Sequence, residues 1–309
     1  MVCPRCGSAL GGDDRFCPNC GRPIQFKRQG LLRQNWWRVL AIGLVLEWAT
    51  AKLLASSGNP NLVPTVILIG AFLVPVTFVV YLYESGVLYD VPIPTMALTF
   101  FYGGVVGVIV SQFLEQNLVA GMDFFSLFLV AISEEVAKPL GAIWLVGRSE
   151  FADERHGLVL GAAAGMGFAA LETMGYAFTF LVMSQGNLNV LGGVLLTRGL
   201  LAPLGHGTWT AIVVGTVWRE RLRGRWLNWR TIRGFGTAVI LHWLWDYTAN
   251  TLPIDVTLPG LTLHWRFVAF TIPGAELPIP GLILGAIGLY ILARMFRESE
   301  QKSAPVLAT

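Results

Sequence analysis

Apolar residues run along this chain in blocks of roughly twenty, parted by short polar or turn-rich joints such as Ser56 to Asn61. Eight blocks lie near Trp37 to Ala55, Leu62 to Tyr83, Ala97 to Leu114, Phe124 to Val146, Gly157 to Met183, Val194 to Trp218, Phe235 to Leu252 and Pro280 to Met295. Each is close to the length a helix needs to cross about 30 Å of hydrocarbon. Backbone polar groups cannot stay unpaired in lipid, and the blocks are too long for barrel strands, so they predict helices. The expected fold is an all-α polytopic membrane protein of about eight transmembrane helices, preceded by a small zinc-ribbon knuckle.

Composition places the chain in the same class. Of its 309 residues 54% are hydrophobic and 13% charged, with 11 Trp and 18 Phe, and the mean hydropathy is +0.60. A soluble domain carries about twice that share of charge. The net charge of +3 is too small to suggest a nucleic-acid partner. The first thirty residues open with cysteines and charges rather than the basic tip and apolar run of a secretory signal, so the N-terminus is expected to stay in the cytoplasm.

Lys and Arg collect on the cytoplasmic side of membrane proteins, and here they mostly alternate with the joints. Arg22, Lys27, Arg28, Arg33 and Arg38 precede the first span, Arg148 and Arg155 follow the fourth, and six Arg lie between Arg219 and Arg233. Arg294, Arg297 and Lys302 end the chain, whereas the joint from Glu84 to Met96 has no basic residue. Both termini are therefore expected inside a cell membrane. The long outer segment from Thr251 to Ile279 alternates from Val256 to Phe270, which could form a hairpin, and the competing expectation is a partly disordered or interfacial loop.

All four cysteines fall in the first twenty residues, as Cys3-x-x-Cys6 and Cys17-x-x-Cys20, each pair followed by Gly. Four thiolates so spaced surround one tetrahedral Zn2+, and a cytoplasmic location disfavours disulfides. Such a site is closed, so its role is structural or that of an adaptor for a cytoplasmic protein partner. The expected organisation is a ribbon over 1–24, a basic linker over 25–36, a membrane domain over 37–298 and a tail over 299–309.

Ionisable residues inside the membrane are expensive and mark function. The fourth span holds Ser133-Glu134-Glu135-Val136-Ala137-Lys138-Pro139, the fifth Phe168-x-x-x-Glu172, the sixth Arg198 and His206, and the seventh His242-x-x-x-Asp246. Counted from the outer end of each span, Glu134, Glu172, His206 and His242 lie about 15 to 18 Å deep, so four helices could meet at one level. Glu134 and Lys138, Phe168 and Glu172, and His242 and Asp246 each share a helix face. Lys138 could keep a neighbouring carboxylate ionised, Asp246 could orient His242, and Pro139 could open a kink that admits water. Gly157, Gly161 and Gly165 recur every fourth residue and admit a close neighbouring helix. Structural roles compete with these. Glu47 could pair with Lys138 or another polar neighbour, Arg198 could reach out to the interface, and His156 and His264 carry no expected chemistry.

These four motifs, in this order, resemble the PrsW family of intramembrane proteases, itself similar to the CAAX-processing protease and bacteriocin-processing superfamily. The resemblance covers roughly Phe124 to Asn250. It implies hydrolysis of a peptide bond within or beside the bilayer, on a membrane-anchored protein such as an anti-sigma factor. Two mechanisms follow. In one, Glu134 is the general base for water, His206 and His242 position it or stabilise the oxyanion, and Glu135 and Glu172 orient the shell. In the other, His206, His242 and a carboxylate bind a second Zn2+ and a glutamate deprotonates its water. The spacing lacks the His-Glu-x-x-His helix of soluble zinc proteases, which favours the first. A transporter or proton relay, or a non-catalytic scaffold presenting the ribbon, are the competing classes; no inverted repeat supports a transporter.

Overall fold

The computed structural model describes residues 3, 7–9, 11, 17–20, 34–84, 91–146, 151, 154–221, 223–251, 254–258, 261–265, 268–272 and 275–303. The described residues hold nine α-helices: α1 Trp36–Ser57, α2 Val63–Leu82, α3 Ile93–Leu118, α4 Phe124–Val146, α5 Glu154–Met183, α6 Leu188–Leu201, α7 His206–Arg221, α8 Trp229–Thr251 and α9 Ile279–Ser303. Four short strands, β1 Ile254–Leu258, β2 Leu261–Trp265, β3 Val268–Ile272 and β4 Ala275–Pro278, lie between α8 and α9. They pair as two antiparallel hairpins, β1 with β2 and β3 with β4. Of the two expectations for this segment, the hairpin is the one observed, and there are two of them.

Among the described residues six helical stretches are long and apolar enough to cross a membrane: α1, Pro60–Leu82, α3, α5, Leu188–Arg221 and the Ile279–Ser299 part of α9. The remaining long helices, α4 and α8, are the ones that carry Glu134, Glu135, Lys138, His242 and Asp246. Polarity is distributed inside out. Trp48, Phe113 and Phe125 are largely exposed, whereas Glu135, Lys138 and His242 are buried. That is the arrangement of a multi-pass membrane protein, in which lipid solvates the outer surface.

The predicted sixth span is one apolar block in the sequence, yet it forms two helices. α6 stops at Leu201, and Ala202 to Gly205 make a turn before α7 begins at His206. Pro203 has no N–H to continue a helical ladder, and its carbonyl instead accepts the Thr208 hydroxyl at 2.6 Å. His206 thus stands at a helix N-terminus rather than mid-helix.

α5 is the hub, and 83% of its membrane-crossing window is buried inside the protein. Its glycine row is what α7 packs into. A Cβ built on Gly165 would stand 2.2 Å from the His206 carbonyl oxygen, and one on Gly161 would stand 2.7 Å from that of Thr210. On the opposite side of α5, a Cβ on Gly167 would come within 1.8 Å of the Phe100 carbonyl of α3. Helix association in lipid rests on such close approach, because apolar contact alone gains nothing over lipid tails. Just past α2, Glu84 accepts the backbone N–H groups of Asn35 and Trp36 at 2.7 and 2.8 Å, tying the end of α2 to the start of α1.

Candidate intramembrane active site

Lys138 is the centre around which the polar groups gather. Its ammonium, fully buried, donates to Glu135 Oε1 at 2.7 Å and to His206 Nδ1 at 2.8 Å, and lies 2.9 Å from Glu134 Oε2. The fourth face is aromatic: the Phe168 ring lies 4.5 Å from Nζ and the Trp209 ring 5.9 Å. A buried ammonium is tolerated only with such compensation. Pro139 sits inside α4, and its missing N–H leaves the Glu135 carbonyl without its intrahelical donor.

His242 closes one side. Its Nδ1 is 3.0 Å from Glu135 Oε1, and its Nε2 is 3.2 Å from Asp246 Oδ2 and 3.6 Å from Glu134 Oε2. His206 closes the other, taking the Lys138 proton at Nδ1 and approaching Glu172 Oε2 with Nε2 at 3.0 Å. A neutral imidazole with its proton on Nε2 satisfies both contacts. Glu172 is also paired with Arg198, which donates to Thr173 Oγ1 at 3.3 Å and lies over the Tyr176 ring. The two imidazole rings are 5.2 Å apart, centre to centre.

Glu134, Glu135, Lys138, Phe168, Glu172, Arg198, His206, His242 and Asp246 therefore occupy one cluster drawn from α4, α5, α6, α7 and α8. Two structural expectations are corrected. Arg198 turns inward to Glu172 rather than out to the interface. Glu47 does not pair with Lys138, whose charge is already met within α4; it lies against Gly70, and its Oε2 has no hydrogen-bond partner among the described residues. His156 is buried at the start of α5 beside Phe151, away from the cluster.

One contributor escaped the sequence. Trp209 stacks on His242 at 4.6 Å, stands edge-on to His206 at 5.3 Å and is buried. The available signal was its position one turn after His206.

Glu134, His206 and His242 each offer a ligand atom, and these lie within 4.8 Å of one another. One carboxylate and two imidazoles are a donor set of catalytic zinc. The residues fit such an ion, provided that the Lys138 contacts to His206 Nδ1 and Glu134 yield. Near the N-terminus, Cys3, Cys17 and Cys20 form a second cluster within the same limit, with Cys3 and Cys20 sulfurs 3.6 Å apart. Zinc–sulfur bonds of about 2.3 Å in a tetrahedron put sulfurs about 3.8 Å apart. Gly7, in the turn after the first pair, has φ of 73°, a left-handed conformation natural to glycine. Cys6 lies outside the described residues. The spacing and the chemistry are those of structural zinc.

Comparison with known proteins matches the two segments of the chain in which these clusters lie. Residues 2–24 match the zinc-ribbon domain model. No curated protein and no solved structure matches the chain. Residues 91–272, more than half of the chain and including every member of the membrane cluster, match the model of the PrsW family of intramembrane metalloproteases, and the chain belongs to that family.

Proposed function

We propose that the chain is an endopeptidase that cuts a membrane-anchored, single-span protein substrate in or beside the bilayer, with Glu134 as the general base. The observation that carries this reading is Glu134 Oε2. It is buried and makes no hydrogen bond with a described residue, yet Lys138 lies 2.9 Å away and His242 Nε2 3.6 Å away. A carboxylate oxygen with charge compensation but no committed partner is suited to take a proton from water.

The water gives its proton to Glu134 Oε2 as its oxygen attacks the scissile carbonyl carbon. The developing oxyanion meets His242, Lys138 and the positive end of α7, whose N-terminus bears His206. Collapse of the tetrahedral intermediate breaks the C–N bond, and Glu134 returns the proton to the leaving amine. Glu135 and Asp246 fix His242 from two sides, and Glu172, held by Arg198, fixes His206. Phe168 and Trp209 exclude water from beneath the ammonium.

A metal mechanism is the second reading, favoured by the Glu134, His206 and His242 donor set and by the family's description as metalloproteases. Those three residues would hold the ion, which would supply a water whose pKa is lowered to about 7. We further propose that both termini face the cytoplasm of the cell membrane and that the ribbon serves there as a structural or docking module. The arginine-rich end of α7 and start of α8, and the basic C-terminal end of α9 with Arg294, Arg297 and Lys302, support that orientation.

Replacement Glu134→Gln tests the reading. With a single-span reporter substrate, cleavage is expected to fall at least about 100-fold, the usual weight of general acid–base catalysis, while the thermal melt stays near that of the wild type. Undiminished cleavage would remove Glu134 from the chemistry.

A further inference from the structure

Away from the active site, at the opposite end of α7, five arginines from α7, α8, α9 and the turn after α7 line one cavity of about 470 Å3: Arg219, Arg223, Arg230, Arg233 and Arg294. Arg219, near the end of α7, is thirteen residues from His206, or about 20 Å along the helix. The size is that of a small-ligand pocket.

The carboxylates described around this set are fewer than its arginines. Glu220, only 1% exposed, takes Arg223 at 2.5 Å, with Arg230 at 3.5 Å and Arg219 at 3.7 Å. Glu154 is 3.5 Å from Arg219, and Glu298 accepts Arg294 at 2.7 Å. Among the described residues three carboxylates thus face five guanidinia, and Arg233 forms no ion pair with any of them. Positive-inside sorting explains why arginines lie at this end of the bundle. It does not explain why those of three helices converge on one concave surface.

The lining also grades in polarity. Ile212 and Ile291 lie deeper along their helices than the arginines, and Tyr290, which also lines the cavity, is 66% exposed. Trp226 and Trp229 are exposed at the same end of the bundle, as aromatic side chains are at the level of lipid headgroups. Guanidinium groups match phosphate oxygens in pairs, and the apolar depth suits the start of an acyl chain.

We propose that this cavity binds the phosphate headgroup of an anionic phospholipid from the leaflet on the arginine-rich side. The occupant bridges α7, α8 and α9 and so fixes the relative placement of the helices bearing His206 and His242. The binding claim does not depend on the catalytic reading and is measured without it.

Native mass spectrometry of the full chain, stripped of lipid in neutral detergent, provides the test. Phosphatidylglycerol is expected to bind at least about five-fold more tightly than phosphatidylcholine, the factor set by one basic residue near an anionic surface. The double substitution Arg233→Gln, Arg294→Gln should lose at least that factor, Arg233→Lys, Arg294→Lys should retain most of the binding, and Arg38→Gln, at the start of α1, should change nothing. Equal retention of the two lipids, binding unaffected by the glutamine substitutions, or an equal loss with Arg38→Gln would overturn the proposal. Glycerol phosphate competing as well as the intact lipid would overturn the lipid assignment. If the glutamine variant fails to fold, the lipid preference of the native chain and of the lysine variant still decides.

Discussion

A lysine with no exposure to solvent persists only where its charge is met, and Lys138 is met by the carboxylates of Glu135 at 2.7 Å and Glu134 at 2.9 Å, with His206 Nδ1 accepting a hydrogen bond from its ammonium. Removing that charge by Lys138→Met leaves two adjoining buried carboxylates without their counter-ion, which is expected to cost about 3 to 5 kcal/mol in denaturant or thermal unfolding. Adding Glu135→Gln to Lys138→Met removes one of the stranded charges and should return part of the stability. Cleavage should not return with it, because Glu134 still lacks its cation. Recovery of both together would make Lys138 a structural residue alone. The charged members of this cluster were legible in the sequence, since an acid, a lysine or a histidine in an apolar span has few innocuous explanations. Trp209 was not, because a tryptophan in such a span is equally at home facing lipid, and only the fold turns this one onto His242.

Helix positions were readable for the same reason that they exist: hydrocarbon demands long apolar stretches, and each predicted block carries a helix. The break at Ala202 to Gly205 was hidden, because Ala-Pro-Leu-Gly keeps the block apolar while the proline and the turn end the helix. The glycine row of α5 showed that a helix would approach closely without showing which one. The answer, α7, makes Gly165→Ala a test of how helix spacing places His206. Its methyl would stand 2.2 Å from the His206 carbonyl, so a loss of about 1 to 3 kcal/mol and reduced cleavage are expected. Gly175→Ala on the same helix meets open space and should leave both unchanged. At the start of α4, Asp123 accepts the Phe125 and Ser126 amides at 3.0 and 3.1 Å and the Ser126 hydroxyl at 2.6 Å. The Ser126 bonds hold its carboxyl below the usual carboxylate range. A depressed value in the folded state means that the ionised cap stabilises fully above the unfolded pKa and less as pH falls through the folded one. In thermal melts the advantage of wild type over Asp123→Asn should therefore shrink below about pH 4, and an advantage independent of pH would count against a charged cap.

Taken whole, the molecule joins two candidate cation centres of different chemistry on one chain. The ribbon supplies thiolates, a closed set that holds zinc for structure. The membrane cluster supplies a carboxylate and two imidazoles within 4.8 Å, but Lys138 already places a positive charge among them, and an ion at that position has to displace it. Metal content of the purified protein separates the two mechanisms. On the glutamate reading, the full chain carries one zinc, a chain lacking residues 1–30 carries none, and that shortened chain still cleaves a single-span reporter. Chelation then strips the full chain of zinc without abolishing cleavage, because a closed thiolate site holds its ion for structure and leaves no position for substrate or water. On the metal reading, a zinc survives the truncation, disappears when His206→Ala and His242→Ala are added, and takes cleavage with it on chelation. Glu134 would then be a ligand rather than the base, and Lys138 would be the group that the ion displaces.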